Sequence, residues 1–227
     1  MADDDPLGTF GIASVAARET VSGFVGLVLQ PDPTTVRTSY ALAARVMAPD
    51  AEQILAAGSL PHVTLTQCAL RNAPRDHLAA FLERLRPELR ERTVPLDRVT
   101  VFAGGFVFWC VDLASPVRGM LVRAHEAALS LADGFLDHAA NAAVVDATAR
   151  ATGDDPDLVD NVRRYGYAFA GRHYLPHITL GFDGRLVAGG GDRPPVGDGD
   201  HRHTMIVADV VVARLGPLAR VTSVLSL

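Results

Sequence analysis

Apolar positions along this chain follow two rhythms, and the alternation between them sets out a series of strands and helices. Val21 to Gln30 is an apolar run with glycines at positions 23 and 26, ended by Pro31 and Pro33, and it predicts a buried strand. Thr34 or Thr35 is placed to cap a helix in which Tyr40, Leu42, Ala43 and Val46 recur, ending near Met47 ahead of Pro49. Pro74 and Asp76 open a second helix, with Leu78, Phe81, Leu82, Leu85 and Leu89 as an apolar stripe under an arginine- and glutamate-rich face. Val94 to Leu113 then reads as a strand kinked at Gly104-Gly105.

The second half opens with a helix from Pro116 through Leu131 and an alanine-rich helix over Leu136 to Arg150. A third starts at Asp154-Asp155-Pro156. Gly184 to His203 is rich in glycine, proline and aspartate and predicts a flexible loop. Thr204 to Arg214 and Ala219 to Leu227 close the chain as strands hinged at Gly216-Pro217. The order of elements predicts an α+β fold.

One repeat stands out from this pattern. Leu60-Pro61-His62-Val63-Thr64-Leu65 recurs as Leu175-Pro176-His177-Ile178-Thr179-Leu180, with a single valine-to-isoleucine change. Both copies read as short strands. Residues two apart in a strand point to the same face, so each copy sets an imidazole beside a hydroxyl while Val63, Leu65, Ile178 and Leu180 face the core. The proline before each histidine holds the preceding leucine extended and limits where the ring can wander.

Composition narrows the possibilities. With 48% hydrophobic residues over 227 positions, the chain is long and apolar enough to build an ordinary core as one large domain or two small lobes. A net charge of −5 argues against nonspecific coating of long nucleic acids, which depends on neutralising many phosphates, but leaves a small or terminal phosphate open as a target. All 21 basic residues are arginine, so lysine Schiff-base chemistry and a P-loop lysine are excluded. Cys68 and Cys110 lack metal-ligand spacing and read as buried free thiols, which fits a reducing cytoplasm. The acidic start of the chain does not read as a secretory signal, and no apolar run is long enough to span a bilayer. Serine-hydrolase elbows, Walker loops, dinucleotide fingerprints and paired Cys-x-x-Cys motifs are absent.

If the two halves are related by a pseudo-twofold, two imidazoles flank one bound atom, and phosphorus suits that position. Near neutral pH one imidazole, with an unperturbed pKa of about 6.5, accepts a proton while the other donates one. Thr64 and Thr179 are then placed to stabilise charge growing on nonbridging oxygens. This chemistry needs neither a metal nor another cofactor.

Paired His-x-Thr strands separated by about half a chain resemble the 2H phosphoesterases, which include the bacterial 2′-5′ RNA ligases. The Phe24 to Leu29 strand, the helix before the first motif and Phe106-Val107-Phe108-Trp109-Cys110-Val111 are similar to family elements in the same order, so the resemblance covers about Val21 to Leu227. It implies a LigT-like, bilobal fold of duplicated β-α-β-α-β units, with antiparallel sheets flanking a central cleft. It also implies catalytic roles for His62 and His177 and phosphate-holding roles for Thr64 and Thr179. The expected activity is metal-independent phosphodiesterase chemistry on RNA 2′,3′-cyclic phosphate ends or 2′-5′ linkages, in reverse a 2′-5′ ligation. The expected partners are RNA ends or small cyclic or 2′-5′ nucleotides, with no membrane, for a cytoplasmic monomer. On this reading residues 1–227 form one bilobal domain, with a variable segment at 1–20, a helical insertion at 134–165 and a flexible loop at 184–203.

Further candidates are less sharply defined. Tyr167, Phe169 and Tyr174 precede the second motif and suit either base stacking or core packing. Arg172 suits either bidentate phosphate binding or a solvated turn. Thr66 shares the face of His62 and lines the cleft wall, whereas Trp109 belongs to the core. His201-Arg202-His203 lacks a third ligand at diagnostic spacing and is not read as a metal site, and His77, His125 and His138 read as surface or interhelical residues. Two rival functions remain: a noncatalytic nucleotide- or RNA-end-binding module, and a hydrolase of nonnucleotide phosphodiesters.

Overall fold

The computed structural model describes residues 20–48, 51, 55, 59–102, 105–152, 155–185 and 201–227. Residues 1–19 and 186–200, and with them most of the N-terminal segment and the glycine-rich loop, lie outside the described residues.

The first strand, β1 (Thr20–Pro31), is followed by α1 (Pro33–Val46). Asp32, rather than a threonine, caps α1: its carboxylate accepts from the backbone N–H groups of Thr34 and Thr35, and Pro33 occupies the first turn, where no amide donor is needed. Thr35 is instead fully buried and donates its hydroxyl to the same carboxylate at 2.6 Å. The first motif leads into β2 (Val63–Pro74), and α2 (Arg75–Leu89) buries its predicted stripe against β2 and a later strand, β6 (His203–Leu215).

The stretch expected as one kinked strand is a hairpin. β3 (Thr93–Phe102) and β4 (Phe106–Val111) pair antiparallel from Leu96↔Val111 to Phe102↔Phe106. A reversal this tight needs a left-handed residue, and Gly105 supplies it at φ 88°, with its N–H bonded to the Phe102 carbonyl.

Three helices then intervene, α3 (Val117–Ala128), α4 (His138–Thr152) and α5 (Pro156–Tyr165). Asp155 caps α5 through the Asp157 N–H. Residues 135–137 run along β2, bonding Arg71 and Ala69, so the segment that leads into α4 is anchored to the strand that carries the first motif. Gly166 ends α5 at φ 76°, where a Cβ would come within 2.8 Å of the Cys68 side chain; only glycine fits both requirements. The second motif forms β5 (His177–Phe182), and β6 is followed by β7 (Val221–Val224). Among the described residues no helix is long and apolar enough to cross a membrane.

The seven strands form one antiparallel sheet in the order β1-β2-β5-β4-β3-β6-β7, and β1 also pairs with β6. Six strands therefore close into a ring, with β7 appended to β6. One side of the ring is β2, β1 and β6; the other is β5, β4 and β3. The halves exchange strands: β3 and β4 come from the first half of the chain but β4 pairs with β5, whereas β6 comes from the second half and pairs with β1. The two sides meet at two seams, a ladder from Thr93↔Ile206 to Leu96↔His203 and a single pair, Val63↔Ile178.

Candidate active site

The single-pair seam is where the repeated motifs meet. Val63 and Ile178 occupy equivalent positions of the repeat, so the local twofold passes between them. Counting outward antiparallel from that pair, His62 stands across from Thr179 and Thr64 across from His177. Val63 and Ile178 are wholly buried, so alternation places the two histidines and two threonines together on the other face, where all four are half-buried. Directly opposed residues in such a pair have Cβ atoms about 5 Å apart and diagonal ones about 7–8 Å. The two imidazoles are diagonal neighbours, a spacing that leaves room for one tetrahedral phosphate between them.

Both rings are held the same way. Nδ1 of His62 donates to the Leu60 carbonyl at 2.8 Å, and Nδ1 of His177 donates to the Leu175 carbonyl at 2.6 Å. A carbonyl only accepts, so Nδ1 carries a proton in each ring and Nε2 is left to gain or lose one. The intervening prolines, Pro61 and Pro176, fix the bend that brings leucine carbonyl and imidazole together.

Electrostatically the copies differ. Burial holds His177 down at about 4; its bond to Leu175 opposes that shift, and the neighbouring His62 adds to it. Burial also lowers His62, against its bond to Leu60. The ring of Phe108 explains part of the contrast, since it stacks on His177 with centroids 3.6 Å apart and planes inclined by 21°.

Phe108 belongs to an aromatic shelf that the sequence reading missed. The registers Phe102↔Phe106, Phe106↔Phe182 and Phe108↔Thr179 put Phe102, Phe106, Phe108 and Phe182 on the face that carries His177. Phe106 packs edge-on to Phe182 at 5.2 Å, and Phe102 stacks on Phe108 at 5.4 Å. Phe102, Phe106 and Phe182 remain half-exposed. Alternating phenylalanines were visible in Phe106-Val107-Phe108, but only the strand register shows that they border His177.

For the tyrosines and Arg172, each left between two readings, the structure shows core packing and an exposed turn. Tyr167 and Tyr174 are 3% and 5% exposed and pack around His125, so neither offers a ring to a base. Arg172 is exposed and pairs with Asp157 at the start of α5. Thr66 does not share the motif's face: Val28 pairs with Thr64 but Leu27 with Thr66, so a bulge in β2 turns Thr66 toward the core, where it is buried at 2% exposure, out of reach of a ligand. Phe169 packs against Phe102 and Tyr167. His125, expected on a surface or between helices, is fully buried, and both of its ring nitrogens are bonded.

His201, Arg202 and His203, expected in the flexible loop, are part of the fold. The His201 carbonyl accepts from the Trp109 indole at 2.8 Å, and His203 opens β6 with Nε2 2.8 Å from the Thr35 hydroxyl. Among the described residues no three histidine, cysteine, aspartate or glutamate side chains are grouped as metal ligands.

No protein-family model and no curated protein sequence matches the chain. Solved structures do. The chain superposes on E. coli LigT complexed with NADP+ with a TM-score of 0.54 at 16% identity, covering 91% of this chain and 96% of that one. The fold is that of LigT. A structure described as a phosphoesterase gives a TM-score of 0.51 at 18% identity over 91% of this chain and 97% of that chain. LigT complexed with 3′-AMP gives 0.50 at 17% identity, with the same coverage. The LigT-like fold thus covers 91% of the chain at 16–18% identity.

Proposed function

We propose that the protein is a 2H phosphoesterase that opens RNA 2′,3′-cyclic phosphate ends or cleaves 2′-5′ linkages by two-histidine acid–base catalysis. The observation that carries this reading is the Val63↔Ile178 pair, which sets two imidazoles with the same tautomer and two hydroxyls around one point. Nucleotide complexes of LigT, with NADP+ and 3′-AMP, support a nucleotide ligand. The half-exposed phenylalanines beside His177 supply an apolar surface for a base, which favours nucleotides over nonnucleotide phosphodiesters.

In the proposed hydrolysis, Nε2 of His177 takes a proton from water as its oxygen attacks phosphorus. Nε2–H of His62 protonates the ribose oxygen as its bond to phosphorus breaks, and Thr64 and Thr179 donate to the nonbridging oxygens. His177 takes the base role because its apolar stacking keeps it neutral, whereas His62, next to the 40%-exposed Leu60, is the more readily charged ring. With a 5′ hydroxyl in place of water the same transfers join two RNA ends. The protein acts without a metal, on this reading as a cytoplasmic monomer.

The purified protein should hydrolyse 2′,3′-cyclic nucleotides or oligonucleotides in the presence of chelator, and His62→Ala and His177→Ala should each abolish most turnover. Full activity in either variant contradicts the mechanism. Tight binding without turnover across cyclic, 2′-5′ and 3′-5′ substrates points instead to a noncatalytic binding module.

A further inference from the structure

β2 and β5 pair only at Val63↔Ile178, so past that residue no ladder ties the two motifs together. A side-chain bridge stands there. His125 of α3 donates from Nδ1 to the Leu65 carbonyl at 2.6 Å and accepts at Nε2 from the Gly171 N–H at 3.0 Å. Its ring lies flat on Tyr174, with centroids 4.0 Å apart and planes inclined by 3°. The Tyr174 hydroxyl donates to the Thr64 carbonyl at 3.1 Å. One end of the bridge therefore holds two consecutive carbonyls of the first motif. The other end holds residues 171–174, directly ahead of Leu175, whose carbonyl fixes the tautomer of His177.

We infer that His125 and Tyr174 are positioning residues that set the separation of the two catalytic strands, an inference that rests on the proposed roles of His62 and His177. Neither side chain touches the reacting atoms. Both are buried, and each makes a bond across the joint that a shift of β2 against the 171–175 segment would break. The His125 ring is bound by one nitrogen that must donate and one that must accept, so it fits only as the neutral Nδ1–H tautomer and resists rotation. Catalysis by two groups acting on one phosphorus depends on their separation, and misplacement by about 1 Å lowers rates by about a hundredfold.

Tyr174→Phe isolates this role, since it removes the hydroxyl and keeps the stacked ring. On a 2′,3′-cyclic nucleotide we expect kcat to fall roughly tenfold with KM nearly unchanged and the melting temperature lowered only slightly. Unchanged kcat in this variant, with an active wild type, overturns the inference, as does a loss of kcat that follows the unfolded fraction. An inactive wild type refutes the functional reading instead. The bridge is then tested by NMR, where Tyr174→Phe should shift the imidazole resonances of both His62 and His177; unmoved resonances overturn it.

Discussion

The two copies of the motif are nearly identical in sequence and yet are embedded differently. Each ring makes the same Nδ1 bond to a leucine carbonyl, each threonine faces the other copy's histidine, and each apolar partner is sealed in the core. The surroundings diverge: His177 opens β5 and lies flat on Phe108, whereas His62 stands just ahead of β2 beside exposed Leu60. Local sequence thus sets which nitrogen of each imidazole is left to exchange a proton, and tertiary packing sets how readily that atom takes one.

The strongest way to break this comparison is to remove the need for an acid. His62→Ala and His177→Ala should each reduce hydrolysis of a cyclic nucleotide by about a hundred- to ten-thousandfold. With a p-nitrophenyl phosphodiester, whose leaving group departs unprotonated, His62→Ala should regain most activity and His177→Ala should not. Equal rescue of both would erase the assigned division of labour.

Replacing a hydroxyl is the next test. Thr64→Val and Thr179→Val should each lower kcat by about ten- to a hundredfold, since each donor acts on charge that grows in the transition state. Strongly unequal losses would show that one lobe carries the phosphate.

A smaller shift belongs to pH. In the free protein the base must be neutral and the acid charged, so kcat/KM should rise with pH through about 4 as His177 loses its proton. It should fall again below the ordinary imidazole value as His62 does. Phe108→Leu should relieve the desolvation of His177 and move the rising limb alkaline by about one pH unit; an unmoved limb in the pH–rate profile would sever ring stacking from proton affinity.

Two subtler effects remain. Phe106→Ala should raise KM several-fold for a cyclic nucleotide and leave a cyclic phosphate lacking a base unaffected. The depressed histidines also bear on stability: both bind fewer protons folded than unfolded, so their contribution is full above the ordinary imidazole value and is lost as pH falls toward about 4. Melting curves that rise on acidification through that window would contradict the buried, neutral state.

Much of this was legible from the chain alone. The helix over Arg75–Leu89 was visible because Leu78, Phe81, Leu82, Leu85 and Leu89 repeat at helical spacing, and the four motif residues were visible because a strand places them two apart twice over. Tyr167, Tyr174 and Arg172 stayed between two readings because proximity to a motif in sequence says nothing about which way a side chain turns. Tyr174 turns inward to His125, whose buried position depends on α3 packing against β2. The shelf of phenylalanines was hidden for a related reason: it depends on which strands lie next to one another, and the ring exchanges partners between the chain's two halves.

That exchange bears on how the molecule is made. A fragment ending after β3 would leave β1 without β6 and β3 without β4, and its complement starting at β4 would lack the same partners in turn, so either piece alone would present bare edges to solvent. Separately produced fragments should therefore gain order only when mixed, and during synthesis the strand that carries the first motif waits for the last long strand before the ring around it is complete.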